Sequence, residues 1–274
     1  MKRDERTGLY LIRSRQFWNQ CFGMSRDKLF NKILRLIVDW EGQELNCKRS
    51  LLEARSFCWR YTEPEVTDEW EAQPDRVAHL EEMDEFGNSE WLYTCAGSWL
   101  WTNHEVWDTA SFLQDIGYYP RRIIDFHSVI GLHTIMLARL YPDVPLVYFH
   151  PVPRTYEFAR DCLFPAFGIN VETITDIKQL GSADLVCSYE VFERDTHPTE
   201  LLNECLKRVE TFLSMSNCWT VPARTHFQTY EIDGEWVDKY KVTRVYNAYV
   251  SRSMKKVAKG WNSRPIIWMP KSLS

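Results

Sequence analysis

The chain has 274 residues, 45% hydrophobic and 26% charged, and its 38 acidic and 33 basic side chains leave a formal net charge of −5. That composition suits a globular protein with one sizeable domain plus an extension, or two small domains, and its acidic balance disfavours a dedicated nucleic-acid binder. No apolar run approaches the roughly 18 residues that span a bilayer, and MKRDERTG is not followed by the apolar core of a secretory signal, so the expected place is the cytoplasm or an assembly formed there, with no membrane contact.

The first predicted element is a helix. Ser25 is a cap residue, Leu29, Ile33, Leu36, Ile37 and Trp40 recur at helical spacing, and Gly42 is the expected stop. Lys48 to Tyr61 repeats the pattern through Leu51, Leu52, Ala54, Phe57 and Cys58, and Pro64 ends it. From Glu63 to Glu90 the charged residues are all acidic apart from Arg76. A further helix from about His104 to Ile116, with Asn103 as cap, feeds the next segment through Gly117.

Arg122 to Phe126 then reads as a short buried strand, Gly131 to Tyr141 as a helix with Leu132, Ile135, Met136 and Leu140 inward, and Pro145 to Phe149 as a second strand. Strand, helix and strand within about thirty residues make a right-handed parallel crossover. In such units the loop after the first strand meets the ligand, so glycine is used there, and the second strand ends in a carboxylate for ribose hydroxyls. His133 is expected on the helix surface. Ala183 to Val209 gives another buried strand and a helix, Tyr246 to Lys259 one helix closed by Gly260, and Pro265 to Met269 a last strand. From Lys239 onward the chain has basic residues and no acid, so the molecule is strongly polarised.

The run Asp125, Phe126, His127, Ser128, Val129, Ile130, Gly131 resembles the first motif of class I S-adenosylmethionine-dependent methyltransferases, roughly D-x-G-x-G-x-G, with only the acid and last glycine kept. Tyr148 to Cys162 is similar to the FkbM-type branch, where an acid precedes P-x-P; here that position is His150. Glu190, Val191 and Glu193 match the E-V-x-E-H that follows the fourth strand, while Arg194 stands at the histidine. The resemblance covers roughly residues 118 to 220. It implies a three-layer α/β sandwich with a doubly wound, mostly parallel Rossmann-like sheet over 118–274, and a helical extension or lid over 1–117.

The same resemblance implies that a bound cofactor would lie against Asp125, His127, Gly131 and His150, with Asp176 near the adenine. Glu190, Glu193 and His197 are the candidates for positioning an acceptor or removing its proton. Two readings follow. In the leading one the site is degenerate: no cofactor is bound, and the protein is a binding or structural component that meets a protein partner or itself. A β-branched Val129 in a turn that needs positive φ or close approach costs roughly 1–2 kcal/mol, and His150 lacks the carboxylate's charge and two oxygens. In the alternative the chain is a working methyltransferase with S-adenosylmethionine as cofactor and an oxygen or nitrogen of a sugar or other small molecule as acceptor.

Lesser readings complete the set. His127 and His150 beside Asp125 and Glu190 have the chemistry of a transition-metal site, but loop histidines are more often polar surface or caps, so no metal is expected. Eight cysteines without a C-x-x-C pair are expected to be reduced. Twelve tryptophans suit wet-rimmed interfaces, although burial in the chain's own core is the simpler and slightly favoured explanation. Basic charge beside Tyr and Trp near the C-terminus permits nucleic-acid contact, which the overall charge disfavours. Phosphate-loop, G-x-S-x-G and H-E-x-x-H motifs are absent from the sequence.

Overall fold

The computed structural model describes residues 22–44, 49–58, 89–128, 130–220, 226–260 and 264–273. The acidic stretch 63–88, Val129 and Trp261 lie outside the described residues. Four helices come first: α1 (Arg26–Glu44), α2 (Leu51–Phe57), α3 (Ser89–Thr102) and α4 (His104–Asp115). Then come β1 (Ile123–Phe126), α5 (Leu132–Leu140), β2 (Leu146–Phe149), α6 (Pro153–Glu157, running on through a π-helical stretch Phe158–Leu163 to Ala166), β3 (Glu172–Ile174), β4 (Ala183–Tyr189), α7 (Pro198–Leu206) and β5 (Val209–Ser216). A hairpin of β6 (Thr229–Ile232) and β7 (Glu235–Asp238), α8 (Lys239–Val250), β8 (Met254–Lys259) and β9 (Ile266–Pro270) finish the fold.

Seven strands form one sheet in the order β3-β2-β1-β4-β5-β9-β8. The first five are parallel, and β9 runs antiparallel to both of its neighbours. The chain winds outward from β1 to β3 and returns to place β4 on the other side of β1. Strand order therefore reverses between β1 and β4, the place where open α/β sheets leave a ligand crevice beyond their carboxyl ends.

Alternation along the strands sorts the core into two layers. Ile123, Tyr148, Leu185, Cys187 and Tyr189 pack with α1, α3, α4, α5 and α6. Ile124, Phe126, Val147, Phe149 and Val186 face the other way, onto Leu202 and Cys205 of α7, Val242, Tyr246 and Val250 of α8, and the hairpin. With helices on both faces of a mostly parallel sheet, this is the three-layer, doubly wound sandwich that the sequence predicts.

Local sequence explains most boundaries. Ser50 and Glu53 close a capping box on α2. Asp184, almost wholly buried, accepts hydrogen bonds at 2.8 Å from the Arg121 and Arg122 amides and the Tyr118 hydroxyl, which ties the entry to β1 onto β4. Burial works against its charge, but those donors win and hold the carboxyl below its usual range.

Four expectations are corrected. Gly42 does not stop the first helix, which continues to Glu44. Asn103 has helical dihedrals and makes no cap bond to α4; its amide donates to the Trp99 and Leu100 carbonyls and so closes α3. His133 is buried, because α5 is covered on that side by α3 and α4, and its ring packs edge-on to Tyr189. Tyr246 to Lys259 is not one helix: α8 ends at Val250, and Met254 to Lys259 pair with β9 as an edge strand. A waiting strand edge outweighed the helical period there. Lys255, Lys256 and Lys259 are exposed on that edge, where lysine discourages pairing with another chain.

Trp99, Trp219 and Trp268 are core residues, whereas Trp236 is half exposed. Cys58, Cys95, Cys162, Cys187, Cys205 and Cys218 are free thiols, as expected. Among the described residues no helix is long and apolar enough to cross a membrane.

Candidate functional site

The turn after β1 has a shape that its first side chain does not favour. His127 sits at φ 66° and Gly131 at φ 78°, both in the left-handed region. For His127 that conformation costs about 1–2 kcal/mol. Gly131 is obligatory on a second ground, since a β-carbon there would lie 2.7 Å from the Phe164 ring. Asp125 turns inward, accepting from Ser128 Oγ at 2.6 Å and from Thr134 Oγ1. Burial is the main influence on its carboxyl, which is pushed up to about 7 despite those two donors.

At the end of β2, His150 is 1% exposed and His127 3%. Their rings lie 4.3 Å apart between centroids, tilted by 49°. The Val152 amide donates to His150 Nδ1 at 3.1 Å. Burial holds both rings neutral, His150 well below its usual range and His127 down to about 3, with each other's proximity and the Arg194 guanidinium adding to the effect on His150. A neutral His150 that accepts at Nδ1 carries its proton on Nε2, and neither Nε2 has a hydrogen-bond partner.

Charged groups gather at the ends of β4 and β5. Glu190 adopts φ 58° and is held by Arg264 at 2.8 Å, which also touches Cys218 Sγ. Burial, then the neighbouring Glu193, push the Glu190 carboxyl up to about 7, against the pull of Arg264. Glu193 is wholly buried beside His226 (3.7 Å) and, with the Asn217 amide turned so that both its atoms are satisfied, accepts from that side chain at 3.1 Å. Glu105 of α4 accepts from Ser216 at 2.7 Å, and burial raises its carboxyl well above the ordinary range. Glu105 and Arg264 were invisible to motif reading, because they come from remote parts of the chain.

The other two candidates stand elsewhere. His197 pairs with Glu231 at 3.0 Å and packs edge-on to Trp236 of the hairpin. Asp176 is exposed and caps a short turn by accepting from the Lys178 amide. Among the described residues no group of three or more His, Cys, Asp or Glu side chains is arranged to hold a metal ion.

A small, partly open cleft with a cavity of about 20 Å³ lies at the β1–β4 reversal. Trp99 and Thr102 of α3, Ser128 and Ile130 of the turn, and Tyr189 and Glu190 at the end of β4 help to line it. Among the described candidate cofactor and acceptor residues, Glu190 alone is in that wall; His133, which the sequence placed on the helix surface, lines it too. A ribose diol needs acceptors, yet the end of β2 presents a buried imidazole whose one accepting nitrogen is already used. The groups there do not fit a ribose as a carboxylate would.

No family model matches the chain, and no curated protein does either. The fold is matched by an O-methyltransferase family protein from Burkholderia thailandensis, at TM-score 0.51 and 14% identity over 80% of this chain and 70% of that one. The N-methyltransferase NodS from Bradyrhizobium japonicum WM9, in complex with S-adenosyl-L-homocysteine, aligns over 60% of this chain and 84% of its own, at TM-score 0.41 and 14% identity. The chain has the class I S-adenosylmethionine-dependent methyltransferase fold.

Proposed function

We propose that this is a methyltransferase-like protein whose nucleoside half-site is filled by its own side chains, and that it serves as a binding or structural component, not by transferring a methyl group. The observation that carries this reading is His150: at the position of the ribose carboxylate it is buried, neutral and in tilted ring contact with His127. The half-exposed Trp236 and the exposed Tyr240 offer aromatic surface for a protein partner or a second copy. Residues 1–117 act as the lid and 118–274 as the Rossmann-like body, a division supported by Trp99 and Thr102 of α3 in the cleft wall. Its place is the cytoplasm or an assembly built there.

Calorimetric titration with S-adenosylmethionine and S-adenosylhomocysteine tests the proposal. Silence at millimolar ligand is expected, and micromolar affinity for either overturns it. One observation favours the second reading, a working methyltransferase for an oxygen or nitrogen of a sugar or other small acceptor. The turn still pays for a left-handed His127, and strain at a crevice is the usual mark of a retained site. In that case Glu190, on the cleft wall with a carboxyl near neutrality, is the group to receive an acceptor's proton, while Glu193 sits behind it.

A further inference from the structure

The seven-stranded sheet ends in an open edge. Its outermost strand, β8, pairs with β9, and among the described residues no other backbone hydrogen bond reaches residues 254–259. Such an edge presents unpaired N–H and C=O groups along its length. Of the six residues of β8, Lys255, Lys256 and Lys259 are exposed, and none of the three is in an ion pair among the described residues. The register shift sets Lys256 against Trp268 and Lys259 against Ile266. Those partners alternate along one strand, so both lysines face the same way, while Lys255, opposite Met269, faces the other. An acid stands at each end, Asp233 held by Arg252 at 2.6 Å and Asp108 against Gly260, and β8 itself has none.

The complement of this edge is written in the same chain. Glu63, Glu65, Glu69 and Glu71 fall at even spacing, with Pro64, Val66 and Trp70 between them, which is the sequence period of an extended strand. Alternate acids match the two lysines that share a face of β8, and Asp68 falls in the other set, as Lys255 does. Lysine on an edge repels a second β8 but attracts a strand of opposite charge. A nucleic acid has the charge but lacks the ladder of N–H and C=O groups, so a polypeptide fits the edge better. The molecule's own acidic run is badly placed to reach it. Residues 59–63 lead from Cys58, the C-cap of α2, and span at most about 18 Å. Helix α2 packs on α1 and α3, and α1 packs on α6, which leads into β3. Strands β3 and β8 are opposite edges of the sheet, roughly 29 Å apart at ordinary strand spacing.

We infer that the β8 edge receives residues 63–71 of a second copy of this chain as an added strand, a head-to-tail contact in which Lys255, Lys256 and Lys259 meet that copy's acids. It rests on the part of the proposed function in which the protein works by meeting itself, and gives that meeting a surface.

Sedimentation velocity on the full-length protein, over a range of concentrations, tests the contact. Association at about 50 mM salt that is lost at about 500 mM is expected, because the Debye length falls over that range from about 14 Å to about 4 Å. A variant carrying Lys255→Glu, Lys256→Glu and Lys259→Glu should lose roughly tenfold or more in association constant, and so should one carrying Glu63→Lys, Glu65→Lys, Glu69→Lys and Glu71→Lys. Circular dichroism melting confirms that each is folded. Mixing the two variants should restore association, since every edge then finds a strand of opposite charge in the other variant. A monomer at every concentration and salt, its edge bare or covered by its own acidic run, overturns the inference, as does association that persists after the lysines are reversed. Both of those results leave the proposed function standing. Micromolar binding of S-adenosylmethionine with the salt-sensitive association intact overturns that function and supports the contact.

Discussion

The two halves of the crevice are built from opposite chemistry. At the ends of β1 and β2 the polar groups are neutral, buried and packed ring against ring. At the ends of β4 and β5, carboxylates crowd together with a few cations, and the open cleft meets them at Glu190. Both halves hold a non-glycine residue in the left-handed region, His127 on one side and Glu190 on the other. On the proposed reading, the backbone keeps the form of a ligand-binding crevice across the sheet, while the side chains close one end and leave charge at the other.

The largest expected effect comes from filling the closed half further. Gly131→Ala adds a β-carbon 2.7 Å from Phe164 at a left-handed position; overpacking and backbone strain together predict a loss of about 3 kcal/mol in urea unfolding. A loss under about 1 kcal/mol would mean that the turn is free to change shape, and the contrast between the halves would weaken. In the charged half, Arg264→Gln leaves Glu190 without its cation. Breaking a buried pair costs about 3–5 kcal/mol, and because Arg264 is one-third exposed the expected loss is about 2 kcal/mol.

Glu190 and the imidazole pair should also respond to pH with opposite signs. Glu190 keeps its proton to about 7 when folded but only to its ordinary range near 4.5 when unfolded, so the stability it contributes is complete below that lower value and is lost as pH rises toward 7. His127 and His150 are neutral when folded, whereas unfolded histidine takes a proton below about 6.5, so their contribution is present above that pH and lost on acidification. Comparing melting temperatures at pH 5 and pH 7.5, Glu190→Gln should gain relative to the parent at the higher pH, and His150→Asn at the lower. The same direction of change in both variants would break the contrast.

The smallest effect is expected for His197→Ala. Its bond to Glu231 is partly exposed and belongs to the hairpin, which sets the loss in urea unfolding at about 0.5 kcal/mol. A loss above about 2 kcal/mol would mean that the hairpin contact matters to the fold as much as the charged half does.

Most of the fold was legible in the chain. The apolar periods marked α1, α5, β1, β2 and β4, and the resemblance carried by the turn after β1 implied the sheet class. The proximity of His127 and His150 followed from two adjacent parallel strands ending together. The misreadings have physical causes: Tyr246 to Lys259 satisfies a helical period locally, and only the free edge of β9 draws its second half into a strand. His133 carries no sign of burial until α3 and α4 cover it.

What the sequence determined by itself was where the main strands and helices fall and the turn that marks the crevice, since periodicity and glycine placement are local properties. Tertiary structure alone decided which polar groups face one another. Arg264 meets Glu190 across 74 positions, Glu105 meets Ser216 across 111, and His197 turns to Glu231, because pairing of charges depends on distance in space, to which spacing along the chain gives no guide.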